Sequence, residues 1–173
     1  MKAQTFWKIV TMDQANLFER LISLLDENLI QYCVIGGQAV NAYVDPLVSL
    51  DLDLAVSADQ LERVEKLLSG EFMLERFVHR LNASKPDSDL RIQIQTDPRY
   101  AEFVKRAEKR MVLGVTLPVA SLDDVLHGKI WAVQDTERPK SKRQKDLADI
   151  ARILESYPHL RSQVPEDILA RLV

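Results

Sequence analysis

"CVIGGQAVNAYVDPLVSLDLDLAVS", residues 33–57, decides how this chain folds. It places two aspartates, Asp51 and Asp53, inside an apolar run downstream of a Gly-Gly pair. Aspartate is a poor strand former, and a carboxylate taken out of water is costly unless something positive meets it. Side chains in a strand alternate between faces, so Asp51 and Asp53 project from one side while Leu50, Leu52 and Leu54 turn to the core. Two carboxylates held that close repel one another. A divalent cation between them removes the conflict, and hard oxygen ligands suit Mg²⁺ or Mn²⁺.

Gly36 and Gly37 supply the complementary half. They end one apolar stretch, "IQYCVI", and open a short helix over "QAVNAYV" that Pro46 stops. A helix start exposes unpaired N–H groups, and glycine lets a phosphate come close to the backbone. Phosphates at this turn, bridged by a metal on Asp51 and Asp53, make a nucleoside-triphosphate site.

Working outward, "DQANLFERLISLLDEN" puts Leu17, Leu21, Ile22, Leu24 and Leu25 on one helical stripe, with Asp13 as its cap. "SLDLDLAVS" reads as a strand. "ADQLERVEKLLSG" reads as an amphipathic helix with Leu61, Val64, Leu67 and Leu68 inward and Gly70 as its stop. "EFMLERFVHRL" reads as one strand and "NASKPDSD" as a loop. "LRIQIQT" alternates, with Leu90, Ile92 and Ile94 on one face and Arg91, Gln93 and Gln95 on the other. "PRYAEFVKRAEK" is expected to be a helix, and "RMVLGVTLPVA" a strand or two short ones broken at Gly114. After Ser121 the texture turns helical. "SLDDVLHGKIWAVQ" starts with a serine cap, "TERPKSKRQK" reads as a basic linker, and "DLADIARILESY" and "VPEDILARL" are two further helices. The expected architecture is therefore α/β (α+β), a mixed central sheet flanked by helices. Residues 1–120 form the core with its N-terminal helix, and residues 121–173 a helical segment packed on it.

The chain has 173 residues, 46% of them hydrophobic and 28% charged, which suits one compact folded unit. A net charge of −3 excludes a strongly basic nucleic-acid binder but leaves room for a local basic face. One cysteine, Cys33, rules out a disulfide framework within the chain, and its apolar setting makes it a core residue. Three histidines and one thiol show no zinc-site spacing. No apolar run is long enough to span a bilayer, and no leader signal shows, so a cytoplasmic protein without a membrane partner is expected.

The order "VIGG", "QAVNAYVDPLVSL", "DLDLAV" resembles the signature of the nucleotidyltransferase superfamily, the DNA polymerase β-like fold. The tail, "PVASLDDVLHGKIWA" followed by a basic stretch and "KDLADIARIL", is similar to the minimal bacterial, toxin-like branch of that group. The resemblance covers residues 30–156. It implies attack by an acceptor on the α-phosphorus of a nucleoside triphosphate, with pyrophosphate leaving. Asp51 and Asp53 would be the catalytic metal ligands for Mg²⁺ or Mn²⁺, and Gly36 and Gly37 would hold triphosphate. Ser49 and Lys129 stand where related sequences place nucleotide-binding residues. The alternatives are a residue at the start of the strand for Ser49 and a snorkelling lysine for Lys129.

One departure matters. The resemblance implies a third carboxylate on a later strand, and in "LRIQIQT" that slot falls on Gln93, a neutral amide that is a poor base and a weak metal ligand. Asp89 and Asp97 flank the strand as substitutes. Gln38 is either a phosphate contact or an exposed amide. Asp146 is expected in a structural ion pair, and Arg138, Lys140, Lys142, Arg143 and Lys145 form either a solvated loop or a phosphate grip. His79 and His127 read as surface or packing residues. The partners so implied are a nucleoside triphosphate, an RNA, protein or small-molecule acceptor, and a cognate antitoxin or a second copy. The alternative function is a non-catalytic nucleotide-binding or partner-binding module, or a toxin–antitoxin subunit acting by protein contact.

Overall fold

The computed structural model of the protein describes Phe6 and residues 16–172. Asp13, the expected cap of the first helix, lies outside the described residues. Helix α1 (Leu17–Glu27) buries Leu17, Leu21, Leu24 and Leu25 of the expected stripe, with Phe18 buried in addition and Ile22 only partly covered.

Seven strands form one sheet: β1 (Tyr32–Ile35), β2 (Asp51–Val56), β3 (Met73–Arg76), β4 (Arg80–Ser84), β5 (Arg91–Gln95), β6 (Glu108–Val112) and β7 (Val115–Val119). Their order across the sheet is β3-β4-β5-β2-β1-β7-β6. The sheet is mixed: β2 runs parallel to β5 and β1 to β7, and the other pairs are antiparallel. Leu52 and Leu54 of β2 and Ile92 and Ile94 of β5 are buried on one face, so the alternation read from sequence holds in both central strands.

Three helices connect the strands of the first half. Helix α2 (Gly36–Asn41) leaves β1 directly, α3 (Leu61–Ser69) follows β2, and α4 (Pro98–Ala101) follows β5. Two long helices close the chain's second half: α5 (Leu122–Gln134) and α6 (Lys140–Ser156), followed by the short α7 (Glu166–Leu169). Tyr43 and Tyr157 lock them to the sheet. The Tyr43 hydroxyl donates to the Ala120 carbonyl at 2.8 Å, and the Tyr157 hydroxyl to the Tyr43 carbonyl at 2.9 Å. Among the described residues no helix is long and apolar enough to cross a membrane.

Four local expectations change. The stretch 71–81 is not one strand but the β3–β4 hairpin, turning at 77–79, and the expected loop at 82–84 is the end of β4. The helix expected over 98–109 is one α-turn followed by a 3-10 segment, Glu102–Arg106, and then β6 from Glu108. The basic stretch from Lys140 is not linker but the first two turns of α6. Helix α2 begins at Gly36 itself and ends at Asn41, short of Pro46.

Candidate nucleotide site

Asp51 and Asp53 leave β2 on the same side, beside β5, with Asp53 in register opposite Gln93 and Asp51 opposite Arg91. Arg91 Nε donates to Asp51 Oδ1 at 2.7 Å. Asp53 is different. Its Oδ1 is sealed from solvent and has no hydrogen-bond partner. Burial pushes its carboxyl up to about 6; the Lys129 charge pulls the other way, and Asp51 adds to the rise.

Gly36 faces this carboxylate. Its φ of +68° is the left-handed region that glycine tolerates, and a side chain there would collide with Asp53. Gly37 is unlike it: an added Cβ would meet nothing within 4 Å. The first glycine is required by the fold, and the second leaves open space beside the backbone.

Ser49 starts the same wall. Its hydroxyl accepts from the Asp51 amide at 3.3 Å, and its carbonyl accepts from the Gln38 side chain at 3.2 Å. Gln38 is therefore buried, neither an exposed amide nor part of the cavity lining.

Helices α5 and α6 close the other side through buried charge. Lys129 Nζ donates to Asp146 at 3.0 Å and pairs with Asp149 at 2.8 Å. Arg138 adds a bond to Asp146 at 2.6 Å, and Arg152 one to Asp149 at 2.9 Å. Burial alone would lower the Lys129 ammonium, but Asp149 and Asp146 outweigh it and hold its pKa above the usual lysine value. Arg152 also donates to Asn41 and to the Asp45 carbonyl, which ties α6 to the segment leading into β2. Asp146 is thus in the structural ion pair expected of it.

One cavity of about 580 Å³ gathers these parts. Gly36, Gly37, Ser49, Asp51, Asp53 and Lys129 all line it, as does Gln93. Of the basic run, Arg138, Lys142 and Lys145 line it, and Lys140 and Arg143 do not. His79 lines it from the exposed hairpin turn, and His127 does not. Neither substitute acid reaches it. Asp89 is exposed, and Asp97 caps α4 and pairs with Arg99 at 3.0 Å.

The sequence missed several lining residues. Asp124, read as a helix-start acid, is buried and gripped by Arg106 through two bonds of 2.8 and 3.1 Å. Phe77 and Arg80 of the hairpin, Tyr100 in α4, Phe103 just after it, and Asp135 at the end of α5 also line the cavity. Only their distant partners place them there, and the local sequence carries no such signal.

A divalent ion fits these donors. The orphaned Asp53 oxygen needs a positive partner, the ligands are hard carboxylates, and Gly37 keeps the approach open. Among the described residues no cluster of three or more His, Cys, Asp or Glu side chains forms a complete metal cage. Phosphate and water would complete the shell, as Mg²⁺ prefers.

The profile of the AbiEii family, described as nucleotidyl transferase AbiEii toxin of type IV toxin–antitoxin systems, matches residues 34–173. The chain belongs to the AbiEii nucleotidyltransferase family. The match begins one residue before the last strand residue ahead of Gly36-Gly37 and includes Asp51, Asp53 and both long helices. No curated protein sequence matches the chain.

Solved nucleotidyltransferases share this AbiEii chain's fold at low identity. ANT(2")-Ia, crystallised with adenylyl-2"-tobramycin, superposes with a TM-score of 0.62 at 14% identity, over 92% of this chain and 99% of that one. The lincosamide antibiotic adenylyltransferase LnuA, bound to lincomycin, gives 0.54 at 13% identity, over 83% and 99%. An antigenic nucleotidyltransferase-like protein from Paracoccidioides brasiliensis gives 0.54 at 20% identity, over 99% and 87%. The nucleotidyltransferase fold expected from "VIGG" and "DLDLAV" is the fold observed.

Proposed function

We propose that this protein transfers a nucleoside monophosphate from a nucleoside triphosphate to an acceptor, with Mg²⁺ or Mn²⁺ as cofactor. The observation that carries the reading is the buried, unpartnered Asp53 oxygen beside Asp51, facing a glycine turn in one cavity.

In this reading Asp51 and Asp53 hold the metal, which would neutralise charge on the triphosphate and the leaving pyrophosphate. Gly37 gives phosphate access to the backbone N–H groups. Ser49 fixes the start of β2 and so the position of Asp51. Lys129 contributes positive charge from the cavity wall, since its own donors are engaged by Asp146 and Asp149. Lys142 and Lys145 are exposed at the cavity and free of ion pairs among the described residues, so they reach the outer phosphates. The helical segment 121–173 serves as the wall that closes over the core formed by residues 1–120.

The acceptor attacks the α-phosphorus, the bond to the bridging oxygen breaks, and pyrophosphate departs. Gln93 stands beside Asp53 where an acid would otherwise take the acceptor's proton. A hydroxyl acceptor therefore loses its proton to solvent, or the acceptor enters already ionised. The acceptor classes are a protein side chain, an RNA end or a small molecule. The family's type IV toxin–antitoxin description supports a cognate antitoxin as partner.

Incubation with each α-labelled triphosphate, Mg²⁺ or Mn²⁺, and cell extract tests the reading. Label should move to an acceptor and should not move with Asp51→Asn. A second reading, a nucleotide-binding module without turnover, is favoured by Gln93 in the third position. Metal-dependent binding with no transfer to any extract component would select it.

A further inference from the structure

We propose that the acceptor is a small phosphate monoester, held by Arg80 and Arg91 on either side of Gln93. This names the substrate class of the transfer reaction above and rests on that reading.

The direction of attack comes first. Strand β2 lies between β1 and β5, so Asp53 has the Gly36-Gly37 turn on one flank and Gln93 on the other. Triphosphate at the glycine turn sends pyrophosphate out on that flank. In-line displacement brings the attacking oxygen in from the opposite one, over β5.

That flank offers an acceptor no base. Arg80, Arg91, Gln93 and Gln95 are what β4 and β5 contribute to the cavity wall, and none is a carboxylate. Gln93 cannot take a proton at neutral pH. The His79 carbonyl is bonded to the Thr96 amide, which places that imidazole three residues past Gln93, about 10 Å along the strand. Of the acids on α5 and α6, Asp124 is engaged by Arg106, and Asp146 by Lys129 and Arg138. Asp135 is exposed at the far end of α5. A hydroxyl arriving over β5 finds no group to take its proton. A phosphate monoester needs none, because its second pKa is about 6 and it arrives ionised.

The same flank supplies two cations for a dianion. Arg91 gives Nε to Asp51 at 2.7 Å, which leaves the terminal nitrogens of its fork for another anion. Arg80 is the diagonal neighbour of Gln93, two residues before Asn82, which stands opposite Gln93 on β4. Its guanidinium lies 4.4 Å over the Phe77 ring, and its Nε has no hydrogen-bond partner. Asp51 and Asp53 face the same spot, and the divalent ion they hold offsets their charge. The cavity of about 580 Å³ must hold the triphosphate as well, which favours a small acceptor.

The step balances without a base. One oxygen of the monoester bonds to the α-phosphorus. The bond from that phosphorus to the bridging oxygen breaks, its electron pair leaves with pyrophosphate, and no proton moves. The product is a diphosphate that joins nucleoside and acceptor.

Cell extract split by size, α-labelled triphosphate and Mn²⁺ test the class. Label should move to the small-molecule fraction, and transfer should fall about tenfold or more when that fraction is first treated with alkaline phosphatase, since removed. Phosphorus NMR of the product should show the two coupled nuclei of an anhydride. Gln93→Glu should lower transfer about tenfold or more, because it sets another negative charge against the incoming dianion. With a hydroxyl acceptor the same change supplies a base and raises transfer. Arg80→Ala should lower transfer about tenfold. It should weaken inorganic phosphate binding by a similar factor in protein loaded with Mn²⁺ and a non-hydrolysable triphosphate, with triphosphate affinity itself kept within about twofold. Transfer that survives phosphatase, a product without the anhydride coupling, or a gain in Gln93→Glu overturns the monoester and leaves nucleotidyl transfer standing. Label confined to macromolecules, or a product cleaved by neutral hydroxylamine as a carboxylate adduct is, does the same. Unchanged transfer and phosphate binding in Arg80→Ala also overturns it. Nucleotide binding with no transfer to any fraction overturns the transfer reading itself, and the monoester with it.

Discussion

The carboxylate of Asp53 occupies the space that a side chain on Gly36 would need. The two motifs, fixed to adjacent antiparallel strands with Ile35 opposite Asp53, are thereby one unit. Glycine at position 36 is needed twice, for its backbone angle and for its neighbour. At position 37 a side chain would meet nothing within 4 Å, so packing does not require the glycine there.

The two glycines should therefore respond differently to alanine. Gly36→Ala should cost about 1–2 kcal/mol from its backbone angle alone, with the Asp53 collision adding to that. Gly37→Ala should leave urea stability unchanged or slightly raised, yet weaken triphosphate binding. Denaturation curves beside nucleotide titrations check both.

The Asp53 carboxyl gives the metal-free protein a pH signature. Its folded pKa, about 6, lies above the unfolded carboxylate value near 3.9. Between those values the folded state holds more protons than the unfolded one, so stability falls as pH rises from about 4 to about 6. The loss should reach about 2–3 kcal/mol and be complete above pH 6. Asp53→Asn should flatten this part of the curve. Urea denaturation in chelator across that range measures it.

How much of this was legible from residues alone follows from the range of the forces involved. Asp51, Asp53, Leu52 and Leu54 announced their faces because period-two alternation is local, and Leu90, Ile92 and Ile94 did the same for β5. The β3–β4 hairpin did not, because its turn, Phe77-Val78-His79, has no glycine, asparagine or proline to mark it. Lys140–Lys145 looked like linker because its charges mask a helix start. What orders it lies within the next turns and across on α5, where Asp146 and Asp149 meet Lys129. Asp124 and Tyr100 became cavity residues only through the docking of α4 and α5 on the sheet, a long-range event that no window of sequence contains.

Removing Lys129 should expose how much that pairing matters. Lys129→Met leaves Asp146 with Arg138 and Asp149 with Arg152, but both acids stay buried with less positive charge. The cost should be about 3 kcal/mol. Adding Asp149→Asn should cost less than the separate effects together, because one unpaired charge is removed with its partner. A double-mutant cycle in urea reads the coupling.

Cys33 should be inert in the folded protein. It is fully buried, and burial together with the Asp124 charge pushes its thiol up to about 12. Thiol reagent at pH 8 should label the chain only after denaturant is added, with one equivalent released then.

The central claim is that Asp51 and Asp53 together clasp a divalent ion that docks triphosphate. Paramagnetic titration of Mn²⁺, with and without a non-hydrolysable triphosphate, tests it most directly. One Mn²⁺ per chain should bind more tightly when nucleotide is present, and Asp51→Asn and Asp53→Asn should each weaken it by about tenfold or more. Equal Mn²⁺ affinity in the parent and both variants, with the nucleotide still bound, would contradict the account.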